Sequence, residues 1–228
     1  THIQRESQLL ITTSSADQPL KGLRYLLKAL VLLKPRFPDL RLLVIGQLKT
    51  GGKTHKLLRR LQLNDAVEFV SGISTEALVE HYNRATIAVS PSLYEGFGLP
   101  AGEAMACATP VISSDGGALP EVVGDAGRIV AAGDSHALAN SIAELLAQPA
   151  LRRQLGNAAR ARIEQHFSWQ VCATHLCDYY ARHVLPKPEG ARLAQAHAVA
   201  QSLDARCSEH LSNPPVATTA KDLPEAAC

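Results

Sequence analysis

Residues Ile87–Ser114 read IAVSPSLYEGFGLPAGEAMACATPVISS, and this stretch decides the fold. It opens with a short apolar run, which predicts a strand that ends before Pro91. Pro100 has the fixed φ that suits the first turn of a helix, and good helix formers follow it. Pro110 stops that helix just before a second apolar run begins. The pattern therefore predicts a strand, a loop, a helix and a second strand.

The loop between that strand and that helix contains Glu95, Gly96, Phe97 and Gly98. Glycine lets the backbone bend sharply and lets a ligand approach the main-chain N–H groups. Those N–H groups, with the unpaired N–H groups of the following helix, predict a binding site for an anion. Glu103 lies eight residues after Glu95, on the helix. Because a carboxylate near a helix N-terminus gains roughly 0.3–1 kcal/mol, a purely structural role is the alternative for Glu103.

Several segments follow one another in a specific order. The central ones are EGFGLP at 95–100, EAMA at 103–106 and PVI at 110–112. Three more lie around them: PLKG at 19–22, GALPEVVGDAG at 117–127 and FSW at 167–169. Each segment alone is a weak signal. As a set, spread over about residues 8 to 184, they resemble the group-1, family-4-like retaining glycosyltransferases of the GT-B type, which carry an E-x7-E motif.

The resemblance implies that this chain is the C-terminal, donor-binding half of a GT-B enzyme whose substrate is a nucleoside diphosphate sugar. It assigns catalytic roles to Glu95 and Lys21. The carboxylate would meet hydroxyl groups of the transferred sugar, and the ammonium would meet the diphosphate. On position alone, a solvated surface lysine is an equal alternative for Lys21. The resemblance further implies transfer with retention of configuration, without a metal or another cofactor.

Other positions that match the family would bind the donor. Glu103 would accept hydrogen bonds from two ribose hydroxyls, since an ionised carboxylate can accept from both at once. Ile73 would line the base pocket, with an ordinary strand-to-helix turn as the alternative. The backbone of the central loop would hold the sugar and the phosphate, and this set consists of Gly96, Phe97, Gly98 and Leu99.

The loop before Lys21 departs from the family pattern. Family members commonly carry an arginine there, directed at the diphosphate, whereas this loop reads TTSSADQP over residues 12–19. Hydroxyl groups of residues 13–15 are candidates to donate neutral hydrogen bonds in its place, and Arg24 is a candidate to reach back. The departure bears on donor affinity and on the details of phosphate binding.

Outward from the central stretch, predicted strands alternate with predicted helices. The strands are expected at 8–13, 40–45, 67–70, 87–90, 111–112 and 128–130. The helices are expected at 20–34, 53–61, 75–84, 101–108, 135–147, 149–165 and 168–183. Such alternation predicts an α/β fold with a doubly wound, Rossmann-like parallel sheet, and ligands of these sheets bind at the carboxyl ends of the strands.

Two other kinds of site are disfavoured. The segment GQLKTGGKT at 46–54 suggests a P-loop, but that motif requires a glycine where Gln47 stands. A metal site built from His175 with Cys172 and Cys177 is not expected, because their spacings do not place them on one face of a helix. We therefore expect neither a nucleotide hydrolase nor a metalloprotein.

Composition bounds the class of protein. The chain has 228 residues, of which 46% are hydrophobic, enough for one domain with a real core. We expect that domain over residues 1–187, followed by a disordered, Ala/Pro-rich tail over 188–228. The net charge is +2 without a dense basic run, so nucleic acid is not an expected partner. No apolar run approaches the roughly 20 residues of a transmembrane segment.

The five cysteines are odd in number and form no CxxC pair, which favours reduced thiols and a cytoplasmic protein. Peripheral contact with the inner face of a membrane is left open. The chain begins at Thr1 and not at Met, which hints that it is a piece of something longer. The expected partners are a nucleotide-sugar donor, an acceptor of unknown identity and an N-terminal acceptor-binding domain in cis or in trans.

The main alternative from another class is a non-catalytic module or subunit that binds a nucleotide sugar and needs a separate acceptor-binding partner. A structural α/β domain with a decayed site is disfavoured, because Lys21, Glu95 and Glu103 are all present. The sequence names neither the sugar, the base nor the acceptor.

Overall fold

The computed structural model describes residues 5–14 and 17–184, over which strands and helices alternate. The strands are β1 (Leu9–Thr13), β2 (Arg41–Ile45), β3 (Val67–Val70), β4 (Ile87–Ser90), β5 (Val111–Ser114) and β6 (Arg128–Val130). The α-helices are α1 (Leu23–Leu33), α2 (Lys53–Arg60), α3 (Thr75–Arg84), α4 (Leu99–Ala106), α5 (Leu119–Val123), α6 (Ser135–Ala147), α7 (Pro149–His166) and α8 (Trp169–His183).

All strands belong to one six-stranded sheet in the order β3-β2-β1-β4-β5-β6, and each neighbouring pair is parallel. This is the order of a doubly wound sheet, so the predicted fold class is confirmed. The winding reverses between β1 and β4, where Leu10 pairs with Ile87. The carboxyl ends of these strands, at Thr13 and Ser90, therefore flank the crevice in which such sheets bind ligands.

Helices cover both faces of the sheet, because successive strand side chains point to opposite faces. In β1, Leu10 packs with buried side chains of α1, α2 and α6. Its neighbours Leu9 and Ile11 pack instead with α3, α4 and α5. Helix α7 contributes to both layers, through Leu155 and Ala159. Because helices cover both faces of the sheet, a ligand can approach it only at the loops that follow the strand ends.

Arg5 connects the C-terminal ends of α3 and α4. Its Nη1 donates to the carbonyl oxygen of Ala85 at 2.8 Å, and its Nη2 donates to that of Ala108 at 2.9 Å. Carbonyl oxygens at helix ends carry partial negative charge, which stabilises the guanidinium. The contact fixes α3 and α4 relative to each other. Both helices supply side chains to the candidate site described below.

Helix α4 begins two residues before its predicted start, and β5 extends two residues beyond its predicted end. The largest differences from the expectation concern α1 and α5. Helix α1 begins at Leu23 and not at Leu20, because Gly22 has a left-handed φ of 68° and separates the helix from a 3-10 turn at Pro19–Lys21. Helix α5, Leu119–Val123, is not predicted by the sequence pattern. It has only five residues and lies between glycine-containing turns, so it is too short to show helical periodicity.

The described residues fall into two compact units, one ending at Phe167 and the other beginning at Ser168. In the second unit, the Ser168 hydroxyl caps α8 by accepting a hydrogen bond from the Val171 N–H at 3.4 Å. The predicted domain end at residue 187 and the predicted tail at 188–228 lie outside the described residues. Within the described ranges, no helix is long and apolar enough to cross a membrane.

Candidate functional site

The three charged residues singled out from the sequence lie around the crevice between β1 and β4. Lys21 follows β1 in the 3-10 turn, Glu95 follows β4 in the loop before α4, and Glu103 lies on α4. Because β1 and β4 are neighbours in the sheet, the loops that follow them lie side by side. The structure thus brings Lys21 and Glu95 into direct contact, whereas Glu103 contacts a buried tyrosine.

Lys21 and Glu95 form an ion pair. Lys21 Nζ donates to Glu95 Oε2 at 2.8 Å, and the Ser92 hydroxyl donates to the same oxygen at 3.2 Å. The lysine and glutamate side chains are 30% and 17% exposed. The pair is therefore partly shielded from water, and its attraction is stronger than that of a fully solvated pair. The carboxylate expected to meet the sugar is held by the ammonium expected to meet the diphosphate.

Gly22 shows why a glycine follows Lys21. It has a φ of 68°, and a Cβ atom built there would lie 1.8 Å from the carbonyl oxygen of Pro91. Beside this contact, the Leu93 N–H donates to the carbonyl oxygen of Leu20 at 2.7 Å. The turn after β1 therefore lies directly against the loop after β4. This close approach of the two loops places Lys21 next to Glu95.

The loop after Glu95 leads into the amino end of α4. In the part of the chain that the structure describes, the N–H groups of residues 96–99 have no hydrogen-bond acceptor. Behind the loop, the Ala118 N–H donates to the carbonyl oxygen of Glu95 at 2.9 Å. Gly117 permits this approach, since a Cβ atom there would lie 2.2 Å from that oxygen. Unpaired N–H groups at a helix amino end are the groups that bind anions in other proteins.

Phe97 lies at the rim of this loop and is 42% exposed, beside the 65% exposed Leu99. Its ring packs edge-on against Phe167, with ring centroids 5.6 Å apart and planes at 79°. Arg162 lies over the Phe167 ring and donates through Nε to the Val122 carbonyl oxygen at 2.9 Å. These contacts support the aromatic residue of the loop from one side and leave part of it open to a ligand.

Glu103 is exposed, but its carboxylate accepts a hydrogen bond from a buried side chain. Its Oε2 accepts a hydrogen bond from the Tyr82 hydroxyl at 3.1 Å, and that hydroxyl lies 3.1 Å from Thr13 Oγ1. Tyr82 comes from α3 and is 2% exposed, while Thr13 ends β1. Burial raises the pKa of the Tyr82 hydroxyl far above its usual value, so the hydroxyl stays protonated.

The remaining candidates lie on neighbouring loops. Ile73 is half-buried in the loop between β3 and α3, next to Gly72 with its φ of 68°. The Arg24 guanidinium lies 5.3 Å from the centre of the Tyr25 ring. Arg24 also lines a cavity of about 290 Å³ beside α2, together with Lys53. Of the proposed replacements for the missing arginine, the Thr13 hydroxyl is thus engaged with a tyrosine, and Arg24 lies over a neighbouring ring.

A larger cavity, of about 620 Å³, lies between α1 and the start of α6. Its lining includes Tyr25, Lys28, Asp134 and His136 but none of the predicted site residues. Cavity size therefore does not identify the candidate site. Its chemistry does, because it combines a cation, two carboxylates and unpaired N–H groups at one edge of the sheet.

Sequence reasoning missed two polar residues of the site, Tyr82 and Ser92. Both are buried, at 2% and 3% exposure. Ser92 reaches Glu95 within one loop, three residues away along the chain, whereas Tyr82 reaches Glu103 only through tertiary packing. A tyrosine on an amphipathic helix predicts a core position, and nothing in the local pattern indicates its contact with Glu103. Among the described residues, no group of three or more His, Cys, Asp and Glu side chains is placed to hold a metal.

The arrangement suits a ligand that carries both an anionic group and hydroxyl groups. The ammonium and the N–H groups attract negative charge, and the carboxylates accept from hydroxyls. Only Oε2 of Glu103 has a hydrogen-bond partner among the described residues, so Oε1 is open. The site thus provides separate positions for an anionic group and for hydroxyl groups.

Comparisons with known proteins point the same way. Residues 2–162 match the family model of the glycosyl transferases group 1. The chain is 41% identical over 178 residues to MMP alpha-(1->4)-mannosyltransferase of Mycolicibacterium hassiacum. That match covers 77% of this chain and 43% of the relative. The chain spans about half the length of the curated relatives it matches.

Two solved structures extend the comparison. Sucrose-phosphate synthase from Thermosynechococcus elongatus is 34% identical with a TM-score of 0.68, over 77% of this chain and 45% of that one. The C-terminal domain of a glycosyl transferase group 1 family protein from Francisella tularensis is 25% identical with a TM-score of 0.62. This match covers 72% of this chain and 89% of that C-terminal domain.

Proposed function

Because the chain belongs to the group 1 glycosyl transferases, we propose that it binds a nucleoside diphosphate sugar and serves as the donor-binding half of a retaining glycosyltransferase. One observation carries the proposal. Lys21, Glu95, Glu103 and the N–H groups of residues 96–99, which have no acceptor among the described residues, lie around the crevice between β1 and β4. This is the place where doubly wound sheets bind nucleotides.

Each group has a role in the proposal. Lys21 and the N–H groups at the amino end of α4 hold the diphosphate. Glu103 accepts hydrogen bonds from the ribose, and Glu95 accepts them from the sugar. Ile73 packs against the base. When the glycosidic bond to the nucleotide breaks, the departing diphosphate gains negative charge, so Lys21 and the N–H groups stabilise the transition state more than the ground state.

The proposal includes retention of configuration and independence of metal. Retention is supported by the E-x7-E spacing of Glu95 and Glu103, which resembles that of the retaining enzymes. Metal-free binding is supported by Lys21 and the helix N–H groups, which supply the positive potential that a divalent cation would otherwise provide.

The acceptor site is proposed to lie on an N-terminal domain, in cis or in trans. Transfer requires the acceptor oxygen to be held close to the reacting carbon, and such positioning is worth roughly 7–11 kcal/mol of the barrier. The relatives are about twice as long as the segment they share with this chain, which leaves room for such a domain. A cytoplasmic location is also proposed, since Cys107, Cys172 and Cys177 are free thiols of the kind a reducing compartment maintains.

Calorimetry with UDP, GDP and ADP in the presence of EDTA tests the proposal. We expect one of these nucleotides to bind, and Lys21→Ala to weaken its binding by about 1.5–3 kcal/mol, the scale of a hydrogen bond to a charged group. The matched control is Lys28→Ala, an exposed lysine on α1 whose ammonium lies near the Tyr25 ring, 5.9 Å from its centre.

Two outcomes would contradict the proposal. The first is the absence of binding by all three nucleotides at millimolar concentration. The second is a strict requirement for magnesium, which would mean that Lys21 and the helix N–H groups do not supply the charge that the diphosphate needs. Equal weakening by Lys21→Ala and Lys28→Ala would remove the specific role of Lys21.

A further inference from the structure

Packing in the core alone does not explain why residue 82 is a tyrosine. It is 2% exposed and packs in the layer formed by α3, α4 and α5, where a phenylalanine would fill the same space. Its hydroxyl nevertheless lies at the edge of the candidate site. There it contacts Glu103 Oε2 at 3.1 Å and Thr13 Oγ1 at 3.1 Å.

The direction of these two hydrogen bonds follows from the chemistry of the groups. An ionised carboxylate is only an acceptor, so the Tyr82 hydroxyl must donate to Glu103. The single proton of that hydroxyl is then used, and the Thr13 hydroxyl must donate to the Tyr82 oxygen. The three side chains therefore form a directed chain from the end of β1, through α3, to the exposed carboxylate on α4.

We propose that Tyr82 is a positioning residue that holds the Glu103 carboxylate in the orientation needed to bind both ribose hydroxyls of the donor. The inference rests on the proposed function, because it takes Glu103 as the ribose ligand. Tyr82 binds Oε2 and leaves Oε1 open, and a carboxylate oxygen has a second lone pair for a ligand hydroxyl.

A side chain as exposed as Glu103 loses rotamer freedom when it binds a ligand, and that loss weakens binding. A buried donor beneath it fixes the carboxylate before the ligand arrives. The helices that carry Tyr82 and Glu103 are themselves joined, since Arg5 donates to the carbonyl oxygens of Ala85 and Ala108 at the C-terminal ends of α3 and α4. Arg5 therefore fixes the two helices that carry Tyr82 and Glu103 relative to each other.

The test compares wild type with Tyr82→Phe, which keeps the ring and removes the hydroxyl. Each protein is titrated with the nucleoside diphosphate that binds wild type and with its 2′,3′-dideoxy analogue. We expect Tyr82→Phe to raise the Kd of the ribonucleotide about five- to tenfold and to leave the Kd of the dideoxy analogue within about twofold. Tyr25→Phe, on α1 and away from Glu103, is the matched control and should change neither value.

A double-mutant cycle adds a second readout. With Glu103→Ala present, Tyr82→Phe should have no further effect on ribonucleotide binding, because the acceptor that the Tyr82 hydroxyl orients is then gone. Thr13→Val, which removes the donor behind the tyrosine, should raise the ribonucleotide Kd about two- to threefold in the same selective way. This variant keeps the inference testable if Tyr82→Phe folds poorly.

The outcomes separate this inference from the proposed function. If wild type binds no nucleoside diphosphate, the proposed function fails and the inference fails with it. If wild type binds but Tyr82→Phe weakens the ribonucleotide and the dideoxy analogue equally, or adds independently to Glu103→Ala, only the positioning role is overturned.

Discussion

The two carboxylates of the E-x7-E pair lie on the same edge of the sheet but are held in opposite ways. Glu95 is 17% exposed and forms an ion pair with Lys21, a group expected to bind the ligand itself. Glu103 is exposed and is held by Tyr82, a buried neutral residue that belongs to the core. The partner of Glu95 therefore has to be shared with an incoming phosphate, whereas the partner of Glu103 does not.

This difference indicates that the two carboxylates respond differently to a ligand. Under the proposed function, a diphosphate near Lys21 would compete with Glu95 for the same ammonium, which would free the Glu95 carboxylate for hydroxyl groups. The Ser92 hydroxyl, 3.2 Å from Glu95 Oε2, limits how far that carboxylate moves. Glu103 has no such competitor, because its partner Tyr82 is a buried hydroxyl. Glu95 is thus suited to the sugar, which arrives with the diphosphate, and Glu103 to the nucleoside.

The largest expected effect comes from breaking the support of Glu95 alone. Gly22→Ala places a Cβ atom 1.8 Å from the Pro91 carbonyl oxygen at a φ of 68°. We expect it to lower the free energy of unfolding by about 3 kcal/mol, from the left-handed φ and the steric clash together. It should also separate Lys21 from Glu95, since the turn must move away from the loop.

The matched control for Gly22→Ala is Gly51→Ala. Gly51 has a φ of 76°, but a Cβ atom there meets nothing within 4 Å, so the expected loss is only about 1 kcal/mol. Urea unfolding of the two variants measures the difference. Similar losses in both would show that the approach of the turn to Pro91 is not required by the fold.

The smallest expected effect comes from Glu6, a third carboxylate, which pairs with two arginines and with none of the candidate site residues in the described ranges. Its Oε1 accepts from Arg84 Nε at 2.8 Å, and it also pairs with Arg41. The hydrogen bond from Arg84 lowers the pKa of Glu6, with a further contribution from Arg41. Glu6→Gln should lower the free energy of unfolding by about 0.2–1 kcal/mol at pH 7 and leave nucleotide binding unchanged.

The pH dependence of this effect has a definite sign. Because the folded pKa of Glu6 lies below its unfolded value, its contribution is fully present above the unfolded pKa and is lost as the pH falls through the folded pKa. Wild type and Glu6→Gln should therefore converge in stability in acid, as measured by urea unfolding at several pH values. A difference that grows on acidification would contradict this role, and so would weaker nucleotide binding.

Local signals in the sequence were sufficient for most of the fold. The predicted bounds of β3, β4, β6 and α6 agree with the structure residue for residue, because prolines, glycines and apolar runs mark them. The start of α1 was wrong by three residues, since the left-handed Gly22 results from contact with Pro91, which is distant in the sequence. The short helix α5 has too few residues to show the periodic spacing of apolar residues that marks a helix.

The candidate site could be predicted only in part. The motif located Lys21, Glu95 and Glu103, and the structure places all three at the expected edge of the sheet. Their functional roles stay predictions. The motif did not reveal that Lys21 binds Glu95, or that Tyr82 supports Glu103. Those contacts join residues 74 and 21 positions apart, and they depend on the order of the strands.

One measurement tests the division of roles most directly: calorimetric titration of wild type, Glu95→Ala and Glu103→Ala with the bare nucleoside diphosphate and with its sugar-bearing form. We expect Glu103→Ala to weaken both ligands by about 1.5–3 kcal/mol. Glu95→Ala should leave the bare nucleotide nearly unchanged and weaken only the sugar-bearing donor. If both substitutions weaken the bare nucleotide equally, the two carboxylates do not have the separate roles that their contacts indicate.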